Sequence, residues 1–266
     1  MNRRGFALLA VLWVIAAVAS AVGAGLAAER LGQRTTRNRV VLARGRWAAE
    51  ACLAVAQARW GTPRARVADT VNLGRTTRCT WRFEDPGARP NVNLVARDVL
   101  ERLFEEPGLR RDSAERLVQE VVALRASAHF TSVAELLSIP GFPPSALPLL
   151  TTDGPGTVNV NAAPAAVLAA LPGFSREAID VVASRRAAGR PVTSLDALLG
   201  ALSPIGRAAV LQAYADLAGL VTFAPTQLLL SADGWVAAYG DVPRATIELL
   251  VVPLPERLAT VRRRMW

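Results

Sequence analysis

MNRRGFALLAVLWVIAAVASAVGAGLAAER, residues 1–30, is the stretch that decides how this chain is organised. Residues 6–28 carry no charged side chain, and these 23 residues would form a helix of roughly 35 Å, enough to cross a hydrocarbon core of ~30 Å. The apolar part of an ordinary secretory signal is shorter, ~7–15 residues. Arg3 and Arg4 precede the span and favour a cytoplasmic N-terminus with an exported body. We therefore predict a transmembrane segment at 6–28.

The order Arg3-Arg4-Gly5-Phe6, followed directly by an apolar helix, resembles the class III signal of type IV pilins and type II secretion pseudopilins. The resemblance implies a leader, 1–5, that a prepilin peptidase removes between Gly5 and Phe6, and methylation of the new Phe6 amine. Glycine suits the cleavage site because a residue without a side chain lets a protease approach the backbone closely. The alternative interpretation is a plain N-terminal membrane anchor.

Most members of that family carry Glu at the fifth position of the mature chain, where this sequence has Ala10. In the family that carboxylate neutralises the N-terminal amine of the preceding subunit, since an unpaired charge among packed apolar helices is costly. A subunit without the carboxylate is expected to enter first and occupy the tip of the fibre, as minor pseudopilin K does. Ala10 therefore predicts a tip position and narrows the resemblance to the K family.

The N-terminal helix is predicted to continue over 29–60, where no proline occurs and apolar side chains recur every three or four residues. Strands are predicted within 70–85, which alternates apolar and polar residues. Cys52 and Cys79 are the only cysteines. An even count in an exported protein favours a disulfide between the helix and a strand, and two buried free thiols are the alternative.

The composition suits an exported protein of one or two domains, 266 residues long, with a formal net charge of +9 and no lysine. The absence of lysine is explained by GC-rich codon usage, so the basic charge is weak support for nucleic-acid binding. Arginines cluster just beyond the predicted span, where they either meet anionic headgroups or form a solvated helix face. They are Arg30, Arg34, Arg37, Arg39, Arg44 and Arg46.

The middle of the chain, 89–216, is predicted to be all-helical and contains a degenerate repeat. Asn91-Val-Asn-Leu matches Asn159-Val-Asn-Ala at an offset of 68, and Val121-Val-Ala-Leu-Arg matches Val181-Val-Ala-Ser-Arg at an offset of 60. Drifting offsets indicate two related units rather than a solenoid. Helix N-caps are expected at four positions. They are Asp112, Ser132, Ser175 and Ser194.

The two units resemble helix-hairpin-helix (SAM-like) elements, with Ile139-Pro-Gly-Phe and Leu171-Pro-Gly-Phe as the hairpins. DNA-binding hairpins point backbone N–H groups of a Gly-x-Gly turn at a phosphate. Here the second glycine is replaced by Pro143, which has no N–H, and by Ser175. A packing or protein-contact role is therefore favoured over DNA binding, although four arginines decorate the second unit. They are Arg176, Arg185, Arg186 and Arg190.

Strands are predicted again over 220–252, separated by turns at Pro225, Asp233-Gly234 and Gly240-Asp241. The strands at 70–85 and 220–252 are expected to share one antiparallel sheet packed on the N-terminal helix. The predicted fold class is α+β: a pilin-like core formed by 61–88 and 217–266, interrupted by the helical insertion 89–216. This is the plan that the resemblance to the K family implies.

Nothing in the sequence points to catalysis, because no nucleophile has a partner at a recognisable spacing and no metal cluster or phosphate loop occurs. His129 is expected to be a partly buried structural residue, and no cofactor is expected. Some members of the family bind calcium, and the only loop carboxylates that would qualify are Asp233 and Asp241, both of which turn formation also explains.

The resemblance implies an assembly subunit at the tip of a type II secretion pseudopilus, anchored in the bacterial inner membrane with its body in the periplasm. The expected partners are other minor pseudopilins, the inner-membrane secretion platform and prepilin peptidase. The alternative is a membrane-anchored periplasmic DNA-uptake protein that uses the hairpins.

Overall fold

The computed structural model describes residues 3–62, 68–105, 108–236 and 245–265, and side chains from residue 11 onward. Helix α1, Arg3–Ala58, runs for 56 residues without interruption. It contains no proline, and its residues from Ala48 to Ala58 include six alanines, which favour helix and allow close packing. Residues 11–40 are exposed along their whole length, whereas the last four turns pack on a sheet.

The main sheet has five antiparallel strands in the order β1 (Asp69–Asn72), β2 (Thr77–Glu84), β5 (Leu228–Val236), β6 (Ala245–Pro253) and β7 (Leu258–Met265). A hairpin of β1 and β2 precedes the helical insertion, and β5, β6 and β7 follow it. Strand β2 pairs with β5 along its whole length, from Thr77 opposite Val236 to Glu84 opposite Leu229.

The turn predicted at Asp233-Gly234 is wrong, because both residues lie inside one continuous strand, β5. The Asp-Gly pair is a strong hairpin signal, but here each residue has another role. Asp233 is nearly buried and pairs with Arg82 of β2 at 2.8 Å. Gly234 gives room to α1, since a Cβ there would collide with the Gly45 carbonyl oxygen and lie 2.9 Å from the Ala49 amide nitrogen.

Two other strands differ from the prediction. Val221–Thr222, β4, does not join the main sheet but pairs in parallel with β3, Val158–Asn159, inside the helical insertion. Strand β7 was not predicted, because its last residues are Arg262, Arg263 and Arg264 and lack an apolar alternation. The turn predicted at Gly240-Asp241 lies outside the described residues.

The insertion is built from short helices, and its last helix ends at Leu220. Ser132, Ser175 and Ser194 cap helices as predicted, each accepting a backbone N–H of the first turn. Asp112 does not cap α3, because that helix already begins at Arg111. The α-helices are α2 Arg97–Glu105, α3 Arg111–Ser127, α4 Ala165–Ala169, α5 Arg176–Ala187, α6 Leu195–Leu199, α7 Pro204–Gln212 and α8 Tyr214–Leu220, and the 3-10 helices include Val133–Ser138 and Pro144–Leu149.

Two hydrophobic cores result. One lies between α1 and the sheet and centres on the fully buried Trp81, Leu230 and Ile247. The other fills the insertion and extends from Val92 to Val221. The chain therefore folds as an α+β core of pilin-like plan with a separate helical core inserted between β2 and β5.

Candidate functional site

The N-terminal half of α1 is long and apolar enough to cross a membrane, the one such helix among the described residues. Its large side chains, from Val11 to Leu26, are all more than half exposed in the monomer. Gly5, Phe6 and Ala10 lie in the first turns of this helix, where the structure describes the backbone only. The apolar surface therefore needs lipid or protein around it.

The C-terminal half of α1 is fixed to the sheet by close backbone packing and a covalent bond. Ala48 and Ala49 are almost fully buried, and Gly234 of β5 lets the helix backbone approach the strand. Cys52 of α1 and Cys79 of β2 form a disulfide with their Cα atoms 6.0 Å apart. The long apolar helix is therefore rigidly joined to the body.

A groove of about 820 Å³ lies beside α1, between the helix and the ends of β6 and β7. Its apolar lining comes from Leu42 and Trp47 of α1 and Met265 of β7, and Trp47 is 77% exposed. Glu50 also lines the groove, and its carboxylate forms an ion pair with Arg263. This surface was not predicted, because Met265 belongs to the strand that the sequence did not indicate.

The sequence repeat of the insertion corresponds to a repeated set of hydrogen bonds, in which one asparagine and one arginine side chain bond to distant backbone groups. We call each set a clamp. In the first unit the Asn93 amide accepts from the Phe130 N–H at 2.8 Å and donates to the Phe130 carbonyl at 3.0 Å. Arg125 of α3 donates to the carbonyls of Val92 and Val95 at 3.1 and 2.8 Å. A parallel bridge between Asn91 and Thr151 closes the unit.

The second unit uses the same clamp. The Asn161 amide accepts from the Val192 N–H at 2.9 Å, and donates to the carbonyls of Val192 and Phe223 at 2.7 and 2.8 Å. Arg186 donates to the carbonyls of Val160 and Ala163 at 3.0 and 2.9 Å. The short parallel pair of β3 and β4 closes this unit.

The clamps correct the predicted alignment by one residue. The offset of 60 equated Arg125 with Arg185, but the arginine with the same bonds is Arg186. They also show that the two Pro-Gly-Phe turns are not equivalent. Gly141 lies between the two 3-10 helices that end the first unit, whereas Gly173 lies between α4 and α5, which begin the second. Each unit thus contains two helical hairpins rather than one.

The turn at Gly173 faces protein, whereas Gly141 is exposed. Gly173 has a positive φ of 72°, and a Cβ there would lie 2.7 Å from the Ala209 carbonyl oxygen of α7. Phe142, after Gly141, is buried and packs edge-on against Phe104 at 5.4 Å between ring centroids. The turn at Gly173 is therefore packed against α7.

Two carboxylates of the insertion have lowered pKa values because hydrogen bonds favour their charged forms. Glu177 of α5 accepts from the Ser203 backbone N–H at 2.6 Å and from its hydroxyl at 2.7 Å, and these bonds lower the pKa of Glu177. Glu135 closes a capping box with Ser132, and the Thr131 hydroxyl contributes most to lowering its pKa. Both groups anchor helix starts.

The predicted carboxylate and histidine sites have other surroundings. Asp233 accepts from Arg82 and from the Thr246 hydroxyl at 2.7 Å, so it is held by protein groups inside the sheet. Asp241 lies outside the described residues. His129 is exposed, contrary to the expected partial burial. Within the described ranges no three His, Cys, Asp or Glu side chains are grouped to hold a metal.

Asp153 joins the insertion to the sheet. It lies in the segment between the two units, and its side chain is only 11% exposed. Arg262 and Arg264 of β7 both form ion pairs with this carboxylate. Together with the Glu50–Arg263 pair, these contacts tie β7 to the insertion on one face and to α1 on the other.

Comparison with known proteins supports the fold. No family model matches the chain, and no curated protein sequence matches it. The chain is similar to one in the crystal structure of the GspK-GspI-GspJ complex from the enterotoxigenic Escherichia coli Type 2 Secretion System, with a TM-score of 0.63 and 13% identity. The similarity covers 90% of this chain and 99% of that chain. The fold is therefore pseudopilin-like.

Proposed function

We propose that this chain is a minor pseudopilin that forms the tip of a type II secretion pseudopilus and initiates its assembly. The observation that carries the proposal is the pseudopilin-like fold over 90% of the chain, attached to an N-terminal apolar helix behind Arg3-Arg4-Gly5-Phe6. Its role is structural rather than enzymatic: it supports the export of proteins across the outer membrane. Calcium is not needed for the proposal, since Asp233 is already held by Arg82.

Ala10 and the insertion support the terminal position. Without a carboxylate at this position the subunit cannot neutralise the amine of a preceding subunit, so it enters the fibre first. The insertion also adds a second hydrophobic core beside the pilin-like core. A repeating position would require every neighbouring subunit to accommodate this bulk, whereas a terminal position has free space above it.

The body lies in the periplasm and the helix in the inner membrane under this proposal. The partners are the other minor pseudopilins, the secretion platform in the inner membrane and the prepilin peptidase. The DNA-uptake alternative is disfavoured because α7 covers the turn at Gly173 and the side chain of Arg186 bonds to backbone carbonyls.

Two measurements test the proposal. Mass spectrometry of the protein purified from its host membranes should give a chain that begins at Phe6 with a methylated amine, and a chain that begins near Ala27 would refute pseudopilin processing. Immunogold labelling of sheared pseudopili should mark one end of each fibre. Labelling along the length of the fibres would refute the tip position.

A further inference from the structure

The part of α1 that follows the apolar span, 6–28, is strongly positive. Six arginines lie between residues 29 and 46, all of them exposed, and Glu29 is the only carboxylate in this stretch. Glu29 already accepts a hydrogen bond from the Gln33 side chain. The helix therefore presents unneutralised positive charge just beyond the end of the span. The arginines are Arg30, Arg34, Arg37, Arg39, Arg44 and Arg46.

Arg30, Arg34 and Arg37 lie on the side of α1 that carries the body. They follow each other at helical spacings of four and three residues, and the next residues in the same series are buried under the body. The three arginines therefore extend the packed face of the helix into the space between the body and the membrane. The buried members of the series are Val41, Gly45, Ala48 and Cys52.

Their heights place the guanidinium groups at the lipid headgroups. At a rise of 1.5 Å per residue, the Cα atoms of Arg30, Arg34 and Arg37 lie about 3, 9 and 14 Å beyond Ala28. Side chains on a helix lean toward its N-terminus, here toward the membrane, by up to about one turn of ~5 Å. Arg34 and Arg37 therefore reach down to about 4 and 8 Å, and the headgroup layer is roughly 5–8 Å thick. Arg30 reaches the same layer from the hydrocarbon edge by snorkelling.

Anionic phospholipid fits both this height and this charge. A guanidinium group binds a phosphate through two parallel hydrogen bonds, and an anionic leaflet attracts each arginine near its surface. In a zwitterionic lipid the positive headgroup nitrogen offsets the phosphate charge. The body begins only at Val41, about 20 Å beyond Ala28, so the arginines have no cover from the body at headgroup level. Lipid is present at this level wherever α1 spans a membrane, whereas a protein partner would have to enter beneath the body.

We propose that Arg30, Arg34 and Arg37 bind the phosphate groups of anionic phospholipids in the leaflet on the body's side of the membrane. This site fixes the depth of α1 and holds the lipids beneath the body. The inference goes beyond the proposed function, because it needs a spanning α1 and not a place in a fibre.

Fluorescence quenching by brominated lipids tests the site in the full chain. Leu26→Trp places a reporter one turn before Arg30 on the same side of the helix, and Trp13→Phe removes the other tryptophan of the span. The protein is reconstituted in phosphatidylcholine vesicles that contain the same minor fraction of either brominated phosphatidylglycerol or brominated phosphatidylcholine. The ratio of the two quenching responses measures the preference for the anionic lipid beside the site. We expect a preference of about fivefold or more, which is the contribution of one arginine near an anionic surface.

Two double variants with the same loss of charge separate height from net charge. Arg34→Gln with Arg37→Gln should lower the preference at least threefold, and adding Arg30→Gln should bring it to about one. The control is Arg44→Gln with Arg46→Gln, which removes two exposed arginines about 24 and 27 Å beyond Ala28. These lie more than a Debye length of ~8–10 Å above the headgroups, so the preference should not change.

Two results would overturn the inference. Equal quenching by the two lipids when all six arginines are present would show that the site does not select anionic lipid and would leave these arginines to an acidic protein partner or to solvent. Equal losses in the two double variants would show an effect of net charge rather than a site at headgroup level. Neither result bears on the fibre labelling that tests the tip position, so the proposed function stands or falls separately.

Discussion

Removal of the Asn161 clamp should destabilise the second unit of the insertion more than removal of Asn93 destabilises the first. The Asn161 side chain makes three hydrogen bonds to backbone groups, at 2.7, 2.8 and 2.9 Å. The Asn93 side chain makes two such bonds, both to Phe130. Each bond contributes about 1 kcal/mol, and each buried backbone group left without a partner costs about 1–3 kcal/mol. Asn161→Ala should therefore cost about 3–4 kcal/mol and Asn93→Ala about 2–3 kcal/mol.

Hydrogen exchange monitored by mass spectrometry on the full chain in detergent measures this locally. In Asn161→Ala, peptides from α5 and α6 should lose protection by a factor of about 100 or more, while peptides from β2 and β5 keep theirs. Asn161→Asp keeps the acceptor for the Val192 N–H and should fall between wild type and the alanine variant. Equal protection in wild type and Asn161→Ala would refute the view that the clamp holds the unit together.

Three further predictions concern the joints between elements. Replacing both Cys52 and Cys79 by serine should lower the free energy of unfolding of the sheet region by about 3–4 kcal/mol, since the disulfide closes a loop with a sequence separation of 27. Urea denaturation followed by hydrogen exchange in β2 measures this loss. A loss below about 1 kcal/mol would contradict the prediction. Gly234→Ala should lower the free energy of unfolding by about 3 kcal/mol, because the added methyl group meets the α1 backbone. The control Gly219→Ala, which has open space around its Cβ, should leave the free energy of unfolding nearly unchanged. Equal melting temperatures for the two variants would overturn the argument that α1 and β5 approach closely at Gly234. The hydrogen bonds from Ser203 lower the pKa of Glu177 below its ordinary value of 4.5, so their stabilisation is complete above that value and is lost as the pH falls through the folded-state pKa. Glu177→Gln should therefore remove part of the acid sensitivity of hydrogen exchange in α7. An unchanged pH profile of exchange would show that the Glu177–Ser203 bonds do not hold α7.

The sequence predicted the long helix and strand β2 best, because both depend on local patterns. An uninterrupted apolar stretch and the alternation around Trp81 need no tertiary information. The Asn-Val-Asn repeat was also visible, and the structure gives its meaning: in each unit the second asparagine of the motif clamps a strand-like segment more than thirty positions away.

The errors came from tertiary contacts that a sequence does not contain. Asp233-Gly234 has the composition of a turn, but Gly234 is a glycine because α1 passes over β5. Strand β7 has no apolar alternation, because its arginines are held by Asp153 and Glu50. The groove depends on β7 and on α1 together, so no single stretch of sequence could have indicated it.

The closed ends of the two units have an evolutionary consequence. In each unit the chain enters and leaves at adjacent points, Asn91 beside Thr151 and Asn159 beside Thr222. A whole unit, which we call a cassette, can thus be inserted or deleted without moving the flanking chain, because the two ends of the unit are adjacent. Duplication of one cassette would place the repeat inside the insertion and leave the sheet untouched, which is the arrangement of this chain. Related proteins with one or three cassettes on the same sheet would keep the same α1 and the same five strands.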